Sequence, residues 1–200
     1  MPDRFAETRY EVFSHARKMW EAGLAPGSSG NVSTRVADDP SIIAITPTSI
    51  TYDEMVVQQI VVVDLLTGAT IESKESPSCE LPMHRIIYRE MPNVSAIVHT
   101  HSPFATSLSI LRQPLPIVID EMLQQFGGRI EVAEYARSGS EDLGRNAVRA
   151  LGNRTAALLA NHGNLCVAQD LRSALNIAVT LEAATRIYIQ ALTIGDPIAL

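Results

Sequence analysis

The chain begins and ends with stretches whose pattern of apolar and polar residues predicts helices. In residues 3–22 apolar side chains recur at helical spacing between charged ones, and Gly23 is expected to end that helix. A long helix is predicted for residues 171–192. Further helices are predicted over 79–91, over 140–151 with Ser140 as its cap, and after Ser102, which could cap a helix that has Pro103 in its first position.

Short apolar or alternating runs between these helices predict strands. They cover residues 32–36, 41–46, 60–65, 69–72, 94–98 and 156–160. Hairpin-like strand pairs are mixed with strand–helix units, so the order is not a regular βαβ alternation. The pattern therefore predicts a mixed α/β fold with helices covering both faces of a sheet. For a chain of 200 residues, one domain spanning 1–200 is the expected organisation.

The composition narrows the class of protein. A hydrophobic share of 46% is typical of a globular chain, and a net charge of −6 argues against a nucleic-acid binder. No apolar run reaches the roughly 18–20 residues of a membrane span, and the N-terminus lacks the apolar core of a signal peptide. We therefore expect a cytoplasmic protein without a membrane or nucleic-acid partner. The two cysteines lie outside any Cys-x-x-Cys pair and indicate neither a disulfide framework nor a thiolate zinc site.

Three of the five histidines follow predicted strands. His99 and His101 point to the same face because residues i and i+2 of a strand do so, and His162 follows another strand just before Gly163. Three imidazoles around one zinc leave an open coordination position, as in catalytic sites. A His-x-His pair is also found as hydrogen-bonded surface residues, so spacing alone leaves both interpretations open. His15 and His84 lie on predicted helices, where we expect structural or packing roles.

One carboxylate and three loops complete the candidate chemistry. Glu80 lies near the start of the predicted helix 79–91, where it is either a helix-capping acid or a general base beside a metal. Loops 28–31, 46–49 and 76–79 are rich in small residues whose hydroxyl and backbone N–H groups could hold a phosphate. None ends in the Gly-Lys-Ser/Thr of a P-loop, and each alone is typical of an ordinary turn.

Taken together, these segments resemble the class II aldolase/adducin family, in particular its zinc-dependent L-fuculose-1-phosphate aldolases. The resemblance runs over nearly the whole chain and is carried in order by SGNVSTR (29–35), ITPTSITYDEM (45–55), PSCELPMHRIIY (77–88), AIVHTHSPFATSLSIL (96–111) and LLANHGNLCVAQDLRSALNIAVTLEAATRIYIQAL (158–192). It implies a single α/β/α three-layer domain with a mainly antiparallel central sheet. It also implies a homotetramer with active sites at the subunit interfaces.

The resemblance also implies roles for individual residues. His99, His101 and His162 would bind zinc, and Glu80 would be the catalytic acid/base. The substrate phosphate would be held at six positions: Gly30, Asn31, Thr48, Ser49, Ser78 and Cys79. The implied reaction cleaves a ketose 1-phosphate into dihydroxyacetone phosphate and an aldehyde through a metal-stabilised enediolate. Three imidazoles also suit other divalent transition metals.

The chain departs from the pattern of these aldolases in three places. Ser49 stands where glycine is usual, and Cys79 stands where serine is usual. Residues 189–200 hold no tyrosine, although the aldolases carry a tail tyrosine that protonates the aldehyde oxygen. Glu121 is a candidate for this second acid/base role, and its alternative role is that of a solvated carboxylate at a helix start. The aldehyde half of the substrate is therefore left open.

Related activities and a non-catalytic role are the alternatives. A pentulose-phosphate 4-epimerase, a 3-oxo-tetronate-phosphate decarboxylase or a methylthioribulose-phosphate dehydratase would use the same metal on a different substrate. Glu80 favours an aldolase or a decarboxylase, because the epimerases tend to have aspartate at that position. An adducin-like interaction module would have no need for three histidines and Glu80, so we rank it below the enzymes.

Overall fold

The computed structural model describes residues 3–200, and one sheet forms its centre. The strands are β1 (Asn31–Val36), β2 (Asp39–Ile45), β3 (Val61–Asp64), β4 (Thr70–Glu72), β5 (Ala96–Thr100), β6 (Val132–Ala133), β7 (Ala156–Leu159) and β8 (Gly163–Ala168). They lie in the order β4-β3-β2-β1-β5-β8-β7-β6. All neighbours are antiparallel except β6 and β7, which confirms the mainly antiparallel sheet.

Six α-helices of the described chain cover the two faces of the sheet. They are α1 (Ala6–Glu21), α2 (Leu81–Glu90), α3 (Pro103–Ile110), α4 (Asp120–Gln125), α5 (Glu141–Leu151) and α6 (Leu171–Leu192). One hydrophobic cluster joins α1, α3, α4 and α6 to the sheet, and a second joins α2 and α5 to its opposite face. In β5, Val98 belongs to the first cluster and Ile97 to the second, as the alternation of a strand requires. These layers confirm the predicted α/β/α architecture.

Most predicted elements are present, with shifts at their ends. Helix α6 has the predicted bounds, whereas α2 begins at Leu81 rather than at residue 79. Strand β5 runs on through His99 to Thr100, because backbone bonds to β1 and β8 continue to that point. Strand β8 and helix α4 are not predicted from the sequence. The turn between β7 and β8 is so short that the two strands read as one strand followed by a loop.

The N-terminus of α3 differs from its predicted capping. Ser102 does hold the N-cap position, but its hydroxyl oxygen accepts a bond from Asn164. The carboxylate of Glu182, on α6, accepts the amide N–H groups of Phe104 at 2.8 Å and Ala105 at 2.9 Å. A carboxylate at this end also opposes the positive end of the helix dipole. Helix α3 is thereby fixed to α6 directly after His101.

Across residues 3–200, no helix is both long enough and apolar enough to cross a lipid bilayer. The long helix α6 instead contributes buried side chains to the core, among them Leu171, Ala178 and Leu181.

The central strand predicts a large cost for removing one buried side chain. Ile97→Ala should lower the free energy of unfolding by about 2–5 kcal/mol, because Ile97 is 0% exposed and its loss leaves a cavity. Ile198→Ala is the matched control, and it should change stability by no more than about 0.5 kcal/mol because Ile198 is 88% exposed. Reversible urea unfolding measures both values. Equal losses from the two substitutions would contradict this placement of the core.

Candidate functional site

Four side chains converge at one end of the central strands. His99 Nε2 lies 3.0 Å from His101 Nε2 and 3.0 Å from Glu80 Oε2, and His162 Nε2 lies 3.3 Å from Glu80 Oε1. One possible ligand atom from each of the four residues lies within 4.8 Å of the others. Three imidazole nitrogens and one carboxylate oxygen form a donor set that a divalent transition metal can occupy.

The three rings surround a common space almost symmetrically. Ring centroids are 4.9 Å apart for His99 and His101, and 4.8 Å apart for each of the other two pairs. The ring planes meet at 67°, 69° and 74°, so each ring turns an edge toward its neighbours. Such edges carry the ring nitrogens. Within one chain, the structure therefore brings together all three histidines that the sequence predicted as metal ligands.

The sheet determines where these histidines lie. His99 is opposite Asn31 of β1 and Leu165 of β8, so its strand is held on both sides. His162 occupies the β7–β8 turn, in which Asn161 has φ 56° and Gly163 follows. A Cβ on Gly163 would lie 2.1 Å from the carbonyl oxygen of Thr100, a distance that no side chain can occupy. Glycine therefore permits the close approach that places His162 beside the end of β5.

A buried amide fixes the orientation of His99. The Nδ1 of His99 lies 2.7 Å from the backbone carbonyl oxygen of Asn164, which can only accept, so Nδ1 carries a proton and Nε2 is the nitrogen that faces the cluster. The side-chain NH2 of Asn164 donates to Thr100 Oγ1 at 2.6 Å and to Ser102 Oγ at 2.9 Å. Asn164 thus holds the segment that joins His99 to His101. Partners of this kind orient metal ligands in proteins.

The carboxylate of Glu80 is buried and faces the histidines. Glu80 is 4% exposed and occupies the N-cap position of α2, but its side chain makes no capping bond to the helix. Its Oε2 instead accepts from Asn31 Nδ2 at 2.8 Å, and its Oε1 accepts from Ser138 Oγ at 2.9 Å. The interpretation of Glu80 as a helix-capping acid is therefore wrong, because both oxygens are directed away from the helix amides.

The cluster shifts the pKa values of its members in opposite directions. Burial alone would raise the pKa of Glu80, but His99, His162 and the bond from Asn31 outweigh burial and hold it well below its usual value. Burial would likewise lower the pKa of His99, but the facing Glu80 carboxylate raises it. For His101, burial and then the other imidazoles lower the pKa to about 3. His101 is therefore neutral near pH 7, the state that metal ligation requires.

His162 resembles His101 in its electrostatics. Burial, followed by the charge of His99, lowers the pKa of His162 to about 4. Its lone pair is therefore free of a proton near pH 7, while Glu80 carries a negative charge. The cluster thus presents two neutral imidazoles, the Nε2 of His99 and an anionic oxygen, which together favour a divalent cation.

Two of the predicted phosphate loops lie side by side next to Glu80. Pro47 and Pro77 form an isolated β-bridge, and the backbone N–H of Thr48 donates to the carbonyl of Ser76 at 3.0 Å. Ser49 has φ 60°, a left-handed conformation that glycine adopts freely and that other residues rarely adopt. Ser78 is buried and its Oγ accepts the N–H of Glu80 at 3.3 Å.

The remaining predicted positions differ in what they offer a ligand. Cys79 lies between Ser78 and Glu80 and is exposed as a residue. Its thiol group is partly desolvated, and this desolvation raises the pKa of the thiol and keeps it protonated. Gly30 has φ 73°, and a Cβ there would lie 2.5 Å from the carbonyl oxygen of His99. Asn31 is 2% exposed, and its amide already bonds to Glu80. Glu121 is exposed in the first turn of α4, outside the four-residue cluster.

Sequence reasoning missed three residues that contact the cluster or its partners. Asn164 and Ser138 lie in segments without a recognisable chemical motif, so their roles depend on tertiary structure. His84 was expected to have a structural or packing role, and its ring bonds to Asn31 and Ser33, which links it to Glu80. A signal for His84 was available, because it lies four residues after Glu80 and such residues share one face of a helix. His15 bonds only locally, to the carbonyl oxygen of Glu11 and to Ser14.

Comparison with known proteins agrees with this geometry. Residues 10–189 match the family described as Class II Aldolase and Adducin N-terminal domain. The chain is 34% identical over 189 residues to a 5-deoxy-D-ribulose 1-phosphate aldolase of Bacillus thuringiensis serovar kurstaki, with 94% of this chain and 87% of the relative covered. It is 33% identical to an L-fuculose phosphate aldolase of Escherichia coli O6:H1, with 94% and 85% covered.

A solved structure and a more distant relative extend the comparison. An L-fuculose 1-phosphate aldolase structure superposes with a TM-score of 0.91 at 38% identity, covering 97% of this chain and 90% of the other. A 3-oxo-tetronate 4-phosphate decarboxylase of Pectobacterium atrosepticum is 32% identical, with 90% of this chain and 82% of that protein covered. The family match, the relatives and the shared fold lead to one conclusion: the chain belongs to the class II aldolase and adducin family.

Proposed function

We propose that this chain is a zinc-dependent aldolase that cleaves a ketose 1-phosphate, similar to fuculose 1-phosphate, into dihydroxyacetone phosphate and an aldehyde. The observation that carries the proposal is the convergence of three imidazoles on one buried carboxylate, Glu80. An interaction module would gain nothing from a buried charge of this kind, because burying a charge costs free energy unless it is compensated. We take residues 1–200 as one domain of this family.

The proposed metal ligands are His99, His101 and His162. The donor set fits a divalent cation because the Nε2 of His99 faces the cluster, the other two rings are neutral, and a bound metal would replace the proton that Glu80 favours on His99. A bound zinc ion would supply positive charge that stabilises the negative charge developing on the ketose oxygens as the C3–C4 bond breaks. His101 and His162 are partly exposed, which leaves that side of the cluster open to a substrate.

The proposed role of Glu80 is to move a proton. In the condensation direction the carboxylate would take the proton from C3 of dihydroxyacetone phosphate, and in cleavage it would return a proton to that carbon. The depressed pKa of Glu80 keeps it ionised and able to accept. Bonds from Asn31 and Ser138, one to each oxygen, limit its rotation.

The paired loops beside Glu80 are the proposed phosphate site. Gly30, Asn31, Thr48, Ser49, Ser78 and Cys79 line it in this proposal. The Asn31 amide already donates to Glu80, and the backbone N–H of Thr48 already donates to Ser76. We therefore expect the hydroxyls of Thr48 and Ser49 and the backbone N–H of Ser49 to make the main contacts. Neutral donors of this kind bind phosphate in many proteins.

We further propose a homotetramer whose subunits complete each active site. Helix α6 exposes Val179 and Ile187, which lie eight residues apart on one side, and a second copy would cover these apolar side chains. Glu121 is exposed on α4 and stays our candidate for the second acid/base. Because Glu121 is exposed, we expect it to reach the active site of a neighbouring subunit.

A panel of phosphorylated sugars tests the proposed reaction. L-fuculose 1-phosphate and 5-deoxy-D-ribulose 1-phosphate, each with and without added zinc, should release dihydroxyacetone phosphate in a zinc-dependent manner. The decarboxylase relative makes 3-oxo-tetronate 4-phosphate the informative competitor, because its decarboxylation gives dihydroxyacetone phosphate together with carbon dioxide and no aldehyde. Carbon dioxide release without cleavage of any ketose 1-phosphate would replace the aldolase proposal with a decarboxylase.

Removing one proposed ligand should abolish metal binding. His162→Ala should lower zinc affinity by about 100-fold or more, since it removes one of three imidazoles, and turnover should fall with it. Competition with a chromophoric chelator measures the affinity. His15→Ala on α1 is the matched control and should bind zinc as the unmodified protein does. Unchanged zinc affinity in His162→Ala would remove this residue from the ligand set.

Removing only the charge of Glu80 should separate catalysis from metal binding. Glu80→Gln should reduce kcat by about 100-fold or more, the size of effect expected for general acid–base catalysis, while the zinc content stays intact. Metal analysis and a dihydroxyacetone phosphate assay on the same sample provide the two values. If this variant turns over normally, Glu80 is not the base.

A further inference from the structure

A row of buried polar side chains leads from the interior to Glu80. Tyr88 OH lies 2.8 Å from Ser33 Oγ, which lies 2.7 Å from His84 Nδ1. His84 Nε2 lies 2.5 Å from Asn31 Oδ1, and Asn31 Nδ2 lies 2.8 Å from Glu80 Oε2. All five side chains are buried. The row crosses the interface between helix α2 and strand β1.

The carboxylate at one end fixes the direction of every bond in this row. Ionised Glu80 can only accept, so Asn31 must turn its NH2 toward Glu80 and its oxygen toward His84. The Nε2 of His84 must then donate. In a neutral ring Nδ1 is an acceptor, so the hydroxyl of Ser33 donates to it and Tyr88 donates to Ser33. With a neutral His84 ring, this arrangement satisfies all four contacts.

The surroundings of His84 keep its ring neutral. Burial, and then the charge of His99, lower the pKa of His84 to about 3. Its hydrogen-bond partners within residues 3–200 are Ser33 and Asn31, and neither carries a charge. A neutral ring with its proton on Nε2 is therefore the form that both partners select.

Simple packing does not require this row. Ser33 and Asn31 are at positions i and i+2 of β1 and point to one face, toward the same side of α2 that carries His84. Apolar side chains would fill this interface without the need for any hydrogen bond. Buried polar groups cost free energy unless every one is paired, and here the paired row ends at the proposed base.

We infer that His84 is a positioning residue, which holds the Asn31 amide so that its NH2 faces Glu80 and keeps the carboxylate directed at the histidine cluster. This inference rests on the proposed function, because Glu80 is the proposed base. Without the Nε2 donor, the buried Asn31 oxygen loses its partner and the amide is free to turn away from the carboxylate. Glu80 then loses one of the bonds that limit its rotation, while His99 keeps its bond to the carbonyl oxygen of Asn164.

Two substitutions at residue 84 separate orientation from packing. In His84→Gln the side-chain amide nitrogen can reach the place of Nε2 and donate to Asn31, whereas the shorter His84→Asn reaches only the place of Nδ1. We expect His84→Asn to lower kcat about 10- to 100-fold with little change in KM or zinc content, the range typical of residues that support a site. His84→Gln should recover kcat to within about threefold of the unmodified enzyme. The surface substitution His15→Gln is the matched control.

Several results would overturn the inference. Equal kcat in His84→Asn and His84→Gln, at equal melting temperatures, would show that the ring only fills space. A loss of zinc in His84→Asn would place its effect on the metal ligands instead. Melting temperatures from thermal unfolding identify a variant that fails to fold.

A spectroscopic measurement tests the same inference without activity. Two-dimensional ¹H–¹⁵N spectra of the ¹⁵N-histidine-labelled full chain report which ring nitrogen carries the proton, and His84→Gln identifies the signals of His84. We expect Nε2–H and an unprotonated Nδ1 at pH 7, with and without added zinc. A proton on Nδ1, or on both nitrogens, would overturn the inference. This readout stands even if no sugar phosphate is cleaved, so failure of the inference is distinguishable from failure of the proposed function.

Discussion

The compensation of one buried negative charge explains most of the architecture around this site. Glu80 is 4% exposed, and an isolated carboxylate at such a depth would take up a proton rather than stay ionised. Its charge is retained because His99 and His162 contact its two oxygens and Asn31 donates to one of them. These three partners come from strand β5, from the β7–β8 turn and from strand β1. The fold must therefore bring distant parts of the chain to one point before the charge is tolerable.

The order of the strands makes this convergence possible. Strand β5 lies between β1 and β8, so residues that are far apart in the sequence become neighbours across the sheet. Two glycines allow the backbones to approach closely there. Gly30 lies against the carbonyl of His99, and Gly163 lies against that of Thr100. A larger residue at either position would separate the strands whose ends carry the cluster.

Local pattern was sufficient for some features and insufficient for others. The bounds of α6 and the shared face of His99 and His101 follow from periodicity, which is a property of neighbouring residues. Strand β8 was missed because a short turn around Asn161 reverses the chain. The left-handed φ of Asn161 that makes this turn possible is not visible in the sequence. The link from Ser138 to Glu80 spans 58 residues, and local pattern carries no information about it. The phosphate positions rest on resemblance and Glu121 rests on the acids in its own segment, and both stay predictions.

Two buried polar networks support different parts of the site and share no residue. Asn164 bonds to His99, Thr100 and Ser102, and so acts on the segment that holds two of the proposed metal ligands. The row through His84 ends instead at Asn31 and Glu80, on the helix side of the cluster. The two networks meet where His99 contacts Glu80 at 3.0 Å, but Asn164 and His84 share no bonding partner, so substitutions at these two residues should couple weakly. A metal-binding set of histidines can therefore be kept while the environment of the proposed base changes, which is a physical route by which one fold could carry both aldolases and decarboxylases.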